Sequence, residues 1–271
     1  ILLAVEGQPV SRSENLFRAL EHRAGDPTLV RYRRDGEERE LELVPVTWSG
    51  LRQLAYDLMV RSKRRTVEEA TGGEVGYVHI QGMGWTEVEL FERDLYAAAD
   101  DKDALIIDVR NNGGGWTTDM LLTILTQPVH AYTIGRDGEI GYPQPRYPLY
   151  RWEKPIAVIC NEGSYSNAEI FSHAIQTIGR GPLVGAETGG NVISTGGWTT
   201  LDGGWIRLPF RGWYVFGTRL DQEGVGAVPD YIVPLGPPEM IRHDDPQLDK
   251  AVELMKAAAE QWRASYNPTG D

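Results

Sequence analysis

The sequence predicts an α/β fold built on a mostly parallel sheet. Two observations predict it. Unbroken apolar runs of strand length occur at Ala104-Leu105-Ile106-Ile107-Asp108-Val109, at 155–160 and at 182–185. Helical patterns lie between them, and strands that are apolar throughout belong to sheets covered on both faces.

Taken in order, residues 2–5 read as a strand ended by the turn Glu6-Gly7-Gln8-Pro9. Ser13 is placed to cap a helix from about Glu14 to His22, with Leu16, Phe17 and Leu20 on one face. Residues 28–33 and 38–44 alternate as a hairpin about Arg34-Asp35-Gly36. One or two linker helices are expected over 49–70, closed by Gly72-Gly73. Residues 76–80 then form a strand, and helices are expected at 87–99, 118–125, 167–178 and 246–263. Between the last two, residues 197–216 carry Trp198, Trp205 and Trp213 and read as a β-rich insertion. The divisions expected are 1–46, 47–74 as linker, and 75–271.

The 271 residues suffice for a large buried core. A hydrophobic share of 41% and a charged share of 24% are those of a soluble globular chain. A net charge of −12 argues against nucleic acid, which needs a positive footprint. Cys160, the single cysteine, excludes an internal disulfide; within its apolar run it reads as a core residue rather than a nucleophile. No apolar run approaches the ~20 residues that span a bilayer. The chain opens on Ile1-Leu2-Leu3-Ala4-Val5, the interior of a strand, without a leader pattern. A fragment is therefore expected, and its setting is read as cytoplasmic.

Two turns carry the chemistry. Asp108-Val109-Arg110-Asn111-Asn112-Gly113-Gly114-Gly115 follows one buried strand, and Gly163-Ser164-Tyr165-Ser166-Asn167-Ala168-Glu169-Ile170 follows another. Both precede helices, so both belong at the carboxyl ends of the strands, where open α/β sheets bind ligands. Successive glycines leave backbone N–H groups open to a ligand. A serine at a helix N-terminus sits where negative charge is favoured. Together they have the parts of a nucleophile and an oxyanion hole. Taken singly, each also has a plain reading: a flexible turn and an N-cap.

The first turn resembles the "DLRxNxGG" and "DVRxNGGG" motifs of C-terminal processing peptidases and tricorn proteases, and the second their "GSxSxxEI" motif. Glu223-Gly224-Val225-Gly226-Ala227-Val228-Pro229-Asp230 resembles the tricorn "EGxGVxPD" segment, and Asp245-Pro246-Gln247-Leu248 its "DPQL". The strand, helix and hairpin of 1–46 resemble the second half of a PDZ domain. This resemblance implies a crotonase-like catalytic domain, preceded by part of a PDZ-like one, acting as a serine peptidase on peptides or unfolded proteins. It implies Ser166 as nucleophile, backbone N–H groups of Gly113 or Gly114 and of Asn167 as oxyanion donors, and Glu223 as an orienting carboxylate. Asn167 departs from the aspartate of tricorn, which matters little for a main-chain contact. A homo-oligomer is possible on the same ground.

The two branches differ in their base. Processing peptidases use a lysine about 25 residues after the serine; here that place is near Asn191, and no lysine lies between Lys154 and Lys250. The tricorn arrangement instead takes its histidine, and the serine before it, from a domain ahead of the PDZ domain. Within the chain, His173 lies two helical turns from Ser166, roughly 10 Å along the axis. His79 sits in a strand, and His22, His130 and His243 have no motif around them. No cofactor is expected, and no cluster has metal-ligand spacing. The alternatives are a non-catalytic peptide- or ligand-binding protein on the same fold, and an acyl-CoA enzyme, which leaves Ser166 without a role.

Overall fold

A computed structural model describes residues 1–13, 15–99, 101–128, 134–138, 151–242 and 244–265. The chain divides into two compact units, 1–62 and 63–271. The division falls inside one continuous helix, where the sequence suggests one or two linker helices.

The first unit holds β1 (Leu2–Val5), β2 (Gln8–Pro9), α1 (Leu16–Ala19), β3 (Thr28–Arg34), β4 (Glu37–Leu43) and the start of α2 (Trp48–Thr71). Its strands form one sheet in the order β2-β1-β3-β4. The expected hairpin is present, with Arg34 paired to Glu37 across the turn. The first helix is much shorter than its pattern predicts. Asn15 rather than Ser13 caps it, its Oδ1 accepting the Phe17 N–H at 3.1 Å. Leu16 and Phe17 are exposed, so little apolar burial supports further turns, and short helices depend on such burial. Glu14, the expected start, lies outside the described residues.

The second unit contains β5 (Val75–His79), α3 (Trp85–Ala97), β6 (Ala104–Asp108), α4 (Thr118–Thr126), β7 (Ile156–Cys160), α5 (Asn167–Thr177), β8 (Leu183–Gly185), β9 (Ser194–Thr199), β10 (Trp205–Arg211), β11 (Tyr231–Ile232), α6 (Pro237–Arg242) and α7 (Pro246–Ser265). Five strands make a sheet in the order β11-β8-β7-β6-β5. Every pairing in it is parallel. Successive residues of a strand face opposite sides, and each side has its own cover. Val78, Leu105, Ile107, Val158 and Cys160 join a core with Phe91 and Leu95 of α3, Leu121 of α4 and Phe171 of α5. On the other side, α7 lies along β5 to β8 and buries Leu248, Ala251 and Met255. Among the described residues, β9 and β10 pair only with each other, in the region expected to be β-rich. Cys160 is buried, and burial pushes its thiol well above the ordinary range, as a core residue requires. Among the described residues, no helix is long and apolar enough to cross a membrane.

Candidate active site

The two glycine-containing turns leave the carboxyl ends of adjacent strands, β6 and β7, and are stitched to each other. The Asn111 N–H donates to Asn161 Oδ1 at 2.9 Å, and Asn161 Nδ2 donates to Asn111 Oδ1 at 3.2 Å. Ser164 Oγ donates to the Val109 carbonyl at 2.8 Å, and the Tyr165 N–H to the Asn112 carbonyl at 2.9 Å. Ser164 is therefore fully buried and structural, while Ser166, the second serine of the motif, is part-exposed.

Ser166 precedes α5 with φ +53° and ψ −116°. Only a few per cent of non-glycine residues adopt positive φ, and such strain persists only where the surroundings enforce it. The enforcing group is Glu169, fully buried one turn into α5. Its Oε1 accepts the N–H groups of Ser166 and Asn191, each at 2.9 Å. Its Oε2 accepts the Thr188 hydroxyl at 2.7 Å and the Gly190 N–H. Ser166 and Glu169 face each other as a capping pair at the start of α5, and the serine stays part-exposed.

The glycine loop approaches this serine closely. A methyl group added at Gly114, φ +85°, would lie 2.6 Å from Ser166 Cβ and 2.6 Å from the Tyr165 carbonyl oxygen. Only glycine tolerates both the conformation and the contact. The Gly114 N–H is already engaged, donating to Asn112 Oδ1 at 2.9 Å. Gly113 is exposed, and its N–H has no partner among the described residues. The Asn167 N–H, first of α5, also has none there, as a helix start leaves it. The Asn167 side chain acts elsewhere, its Oδ1 accepting the Thr118 N–H at 2.9 Å and so fastening α4 to α5. An aspartate oxygen accepts that bond equally well.

Glu223 holds the residues that follow those held by Glu169. Its Oε2 accepts the N–H groups of Val192 and Ile193 at 2.8 and 2.9 Å. The Gly224 N–H donates to the Gly190 carbonyl at 2.8 Å. Residues 188–193 thus connect the backbone of Ser166 to Glu223 through two carboxylates.

Behind the glycine loop lies a buried ionic cluster. Arg110 places Nε 3.0 Å and Nη2 2.6 Å from the two carboxylate oxygens of Asp108, which is 1% exposed. It also contacts Asp245 at 2.8 and 3.0 Å and Gln247 at 3.0 Å. Burial alone raises the pKa of a carboxylate; the adjoining guanidinium outweighs burial and holds Asp108 and Asp245 below the ordinary range. The tyrosine on β5, Tyr77, donates to Asp108 at 2.8 Å.

None of the described histidines hydrogen-bonds to Ser166. His173 is buried on α5, and burial lowers its pKa. His79 packs with Nε2 3.2 Å from the Arg110 carbonyl, and burial likewise lowers its pKa. His22 is exposed in the first unit. His130 and His243 lie outside the described residues. Among the described residues no group of acidic, cysteine or histidine side chains has the arrangement of a metal site. Glu169, Arg110 and Asp108 are contributors to which the sequence motifs assign no role. For Glu169 a signal existed: Ser166-x-x-Glu169 has the spacing of a helix-capping pair.

Residues 74–233 match the model of peptidase family S41. The chain is 30% identical over 264 residues to the tricorn protease of Thermoplasma volcanium, covering 97% of this chain and 25% of that one. It is 32% identical over 274 residues to tricorn protease homolog 1 of Streptomyces coelicolor, covering 99% and 25%. It therefore spans about a quarter of the length of these relatives. A crystal structure of the tricorn protease superposes with a TM-score of 0.79 at 27% identity, over 96% of this chain and 25% of the other. Mature CPAF shares the fold, with a TM-score of 0.56 at 17% identity over 96% and 77% of the two chains.

Proposed function

Because the chain belongs to peptidase family S41, we propose that it carries the nucleophile, oxyanion donors and orienting carboxylate of a serine peptidase acting on peptides or unfolded chains. Ser166 Oγ attacks the scissile carbonyl carbon, and its proton passes to a histidine supplied from outside residues 1–271. The N–H groups of Gly113 and Asn167 receive the developing oxyanion, and Gly114 gives Ser166 room. Glu223 orients the base through a serine that accompanies the histidine. What carries this reading is a part-exposed serine at positive φ, next to a helix-start N–H that has no partner among the described residues. The strand, helix and hairpin of the first unit support a PDZ-like part, and the parallel sheet with its helices supports a crotonase-like domain. A cytoplasmic setting and a homo-oligomer complete the reading.

The test is kcat/KM on a peptide library, for residues 1–271 alone and for a longer polypeptide that includes the preceding segment. The shorter form lacks its base, so feeble hydrolysis is expected, with a rise of several orders of magnitude in the longer one; loss of a triad member leaves only about 10³–10⁴-fold catalysis over water. Full Ser166-dependent activity in residues 1–271 would overturn the external base. No hydrolysis and no labelling by a fluorophosphonate in the longer form would favour a binding protein.

Glu223→Gln separates charge from structure. Its carbonyl oxygen can keep both N–H contacts, to Val192 and Ile193, so folding should be spared. An orienting charge acts in the transition state, so kcat should fall roughly 100-fold with little change in KM. A change in KM or stability alone would make Glu223 a structural brace.

A further inference from the structure

Two tryptophans beside the glycine loop have no part in the chemistry above. Trp85 and Trp116 are 53% and 61% exposed. Their rings are nearly parallel, 9° apart, with centroids 6.5 Å from each other. The backbone fixes their place. The Met83 N–H donates to the Gly114 carbonyl at 3.0 Å, and the Trp116 N–H to the Met83 carbonyl at 2.8 Å. A methyl group at Gly115 would lie 2.0 Å from the Met83 carbonyl oxygen, so the two segments cannot draw closer. Trp85 then opens α3, and Trp116 precedes α4, whose first N–H is tied to Asn167.

Trp116 follows Gly113 by three residues, which puts it at most roughly 10 Å away along the chain. Side chains on one face of an extended peptide recur about every 6.5–7 Å. A peptide whose scissile carbonyl rests at Gly113 therefore has the side chains one to three residues away within that reach of Trp116.

Resting on the peptidase reading, we propose that Trp85 and Trp116 form a substrate subsite that selects an aromatic or large aliphatic side chain near the scissile bond. The gain from covering apolar surface grows with the area covered, and two largely exposed indole rings supply it. A cation gains from a single ring face, and little at an exposed site.

The experiment uses the longer polypeptide, with peptides varied over three positions on each side of the cleaved bond. In Trp85→Ala and Trp116→Ala, kcat/KM should fall roughly 10- to 100-fold for peptides with Phe, Tyr or Leu at the contacted position. Peptides with Ala there should change less than about threefold, and the fluorophosphonate labelling rate of Ser166 should hold. Peptide binding to Ser166→Ala protein should alter tryptophan fluorescence, and Trp116→Ala should remove that change. Where an alanine variant fails to fold, Trp116→Leu should show an intermediate loss of the same pattern. Equal loss for all peptides, no loss, or a greater loss for Arg and Lys peptides would overturn the subsite while leaving the peptidase reading intact. A wild-type protein that neither labels nor hydrolyses would overturn both.

Discussion

Replacing Ser166 with alanine should abolish peptide hydrolysis and fluorophosphonate labelling while leaving the fold in place. Loss of a nucleophilic serine costs on the order of 10⁶ in kcat. The serine is part-exposed, so water can reach a group that loses its hydroxyl. Ser166→Gly sharpens the test. At φ +53° and ψ −116° a side chain costs about 1–3 kcal/mol that glycine avoids. The glycine variant should therefore be as inactive as the alanine variant and more stable than it, by about 1 kcal/mol in denaturant unfolding. Activity of either variant within tenfold of wild type would remove Ser166 from the chemistry. A glycine variant no more stable than alanine would show that the positive φ carries no strain.

Arg110→Ala should have the largest effect on stability. It leaves the buried carboxylate of Asp108 without its guanidinium and removes the contacts that tie Asp245 and Gln247, at the start of α7, to the glycine loop. Breaking a buried ion pair by removing one partner costs about 3–5 kcal/mol. Arg110→Lys should recover only part of it, since a single ammonium cannot reproduce the forked contacts. The sign with pH follows from the carboxylates. Their folded pKa values are depressed, so their contribution is present above the unfolded value, near 3.9, and is lost as pH falls through the folded one. The difference between wild type and variant should accordingly be full at pH 7 and shrink below about pH 4. Denaturant midpoints at pH 7 and pH 3 measure this. A loss under about 1 kcal/mol at pH 7 would mean that water or another group takes over the charge.

The sheet was legible because its strands are apolar on both faces, and Ala104–Asp108 and Ile156–Cys160 fall where continuous apolar runs place them. Two of the short elements were not. β11 has two residues and α6 six, too few for a period to register. α1 failed for a different reason: its apolar spacing is helical, yet the face it makes stays exposed. Ser166 was legible as a helix-start serine, and the glycines as a loop. That Glu169 reaches back to Ser166 is in their spacing, but its reach to residues 188–191 is a contact over about twenty residues, which spacing does not encode. The ionic cluster joins Asp108 to Asp245 over a still longer interval, and only the folded sheet brings them together.

The proposed oxyanion donors are main-chain groups, and that decides how mutation reaches them. No side-chain replacement deletes an N–H, short of proline. The vulnerable positions are instead those where a neighbour already occupies the space a carbon atom would take. Gly114 abuts Ser166, Gly115 abuts Met83, and Gly163 has Asn111 Oδ1 at 2.5 Å from where its methyl would be. Around this centre the heritable information resides largely in atoms that are missing. At Gly114 and Gly115, where φ is positive and backbone atoms stand in the way, a larger residue is expected to inactivate by crowding.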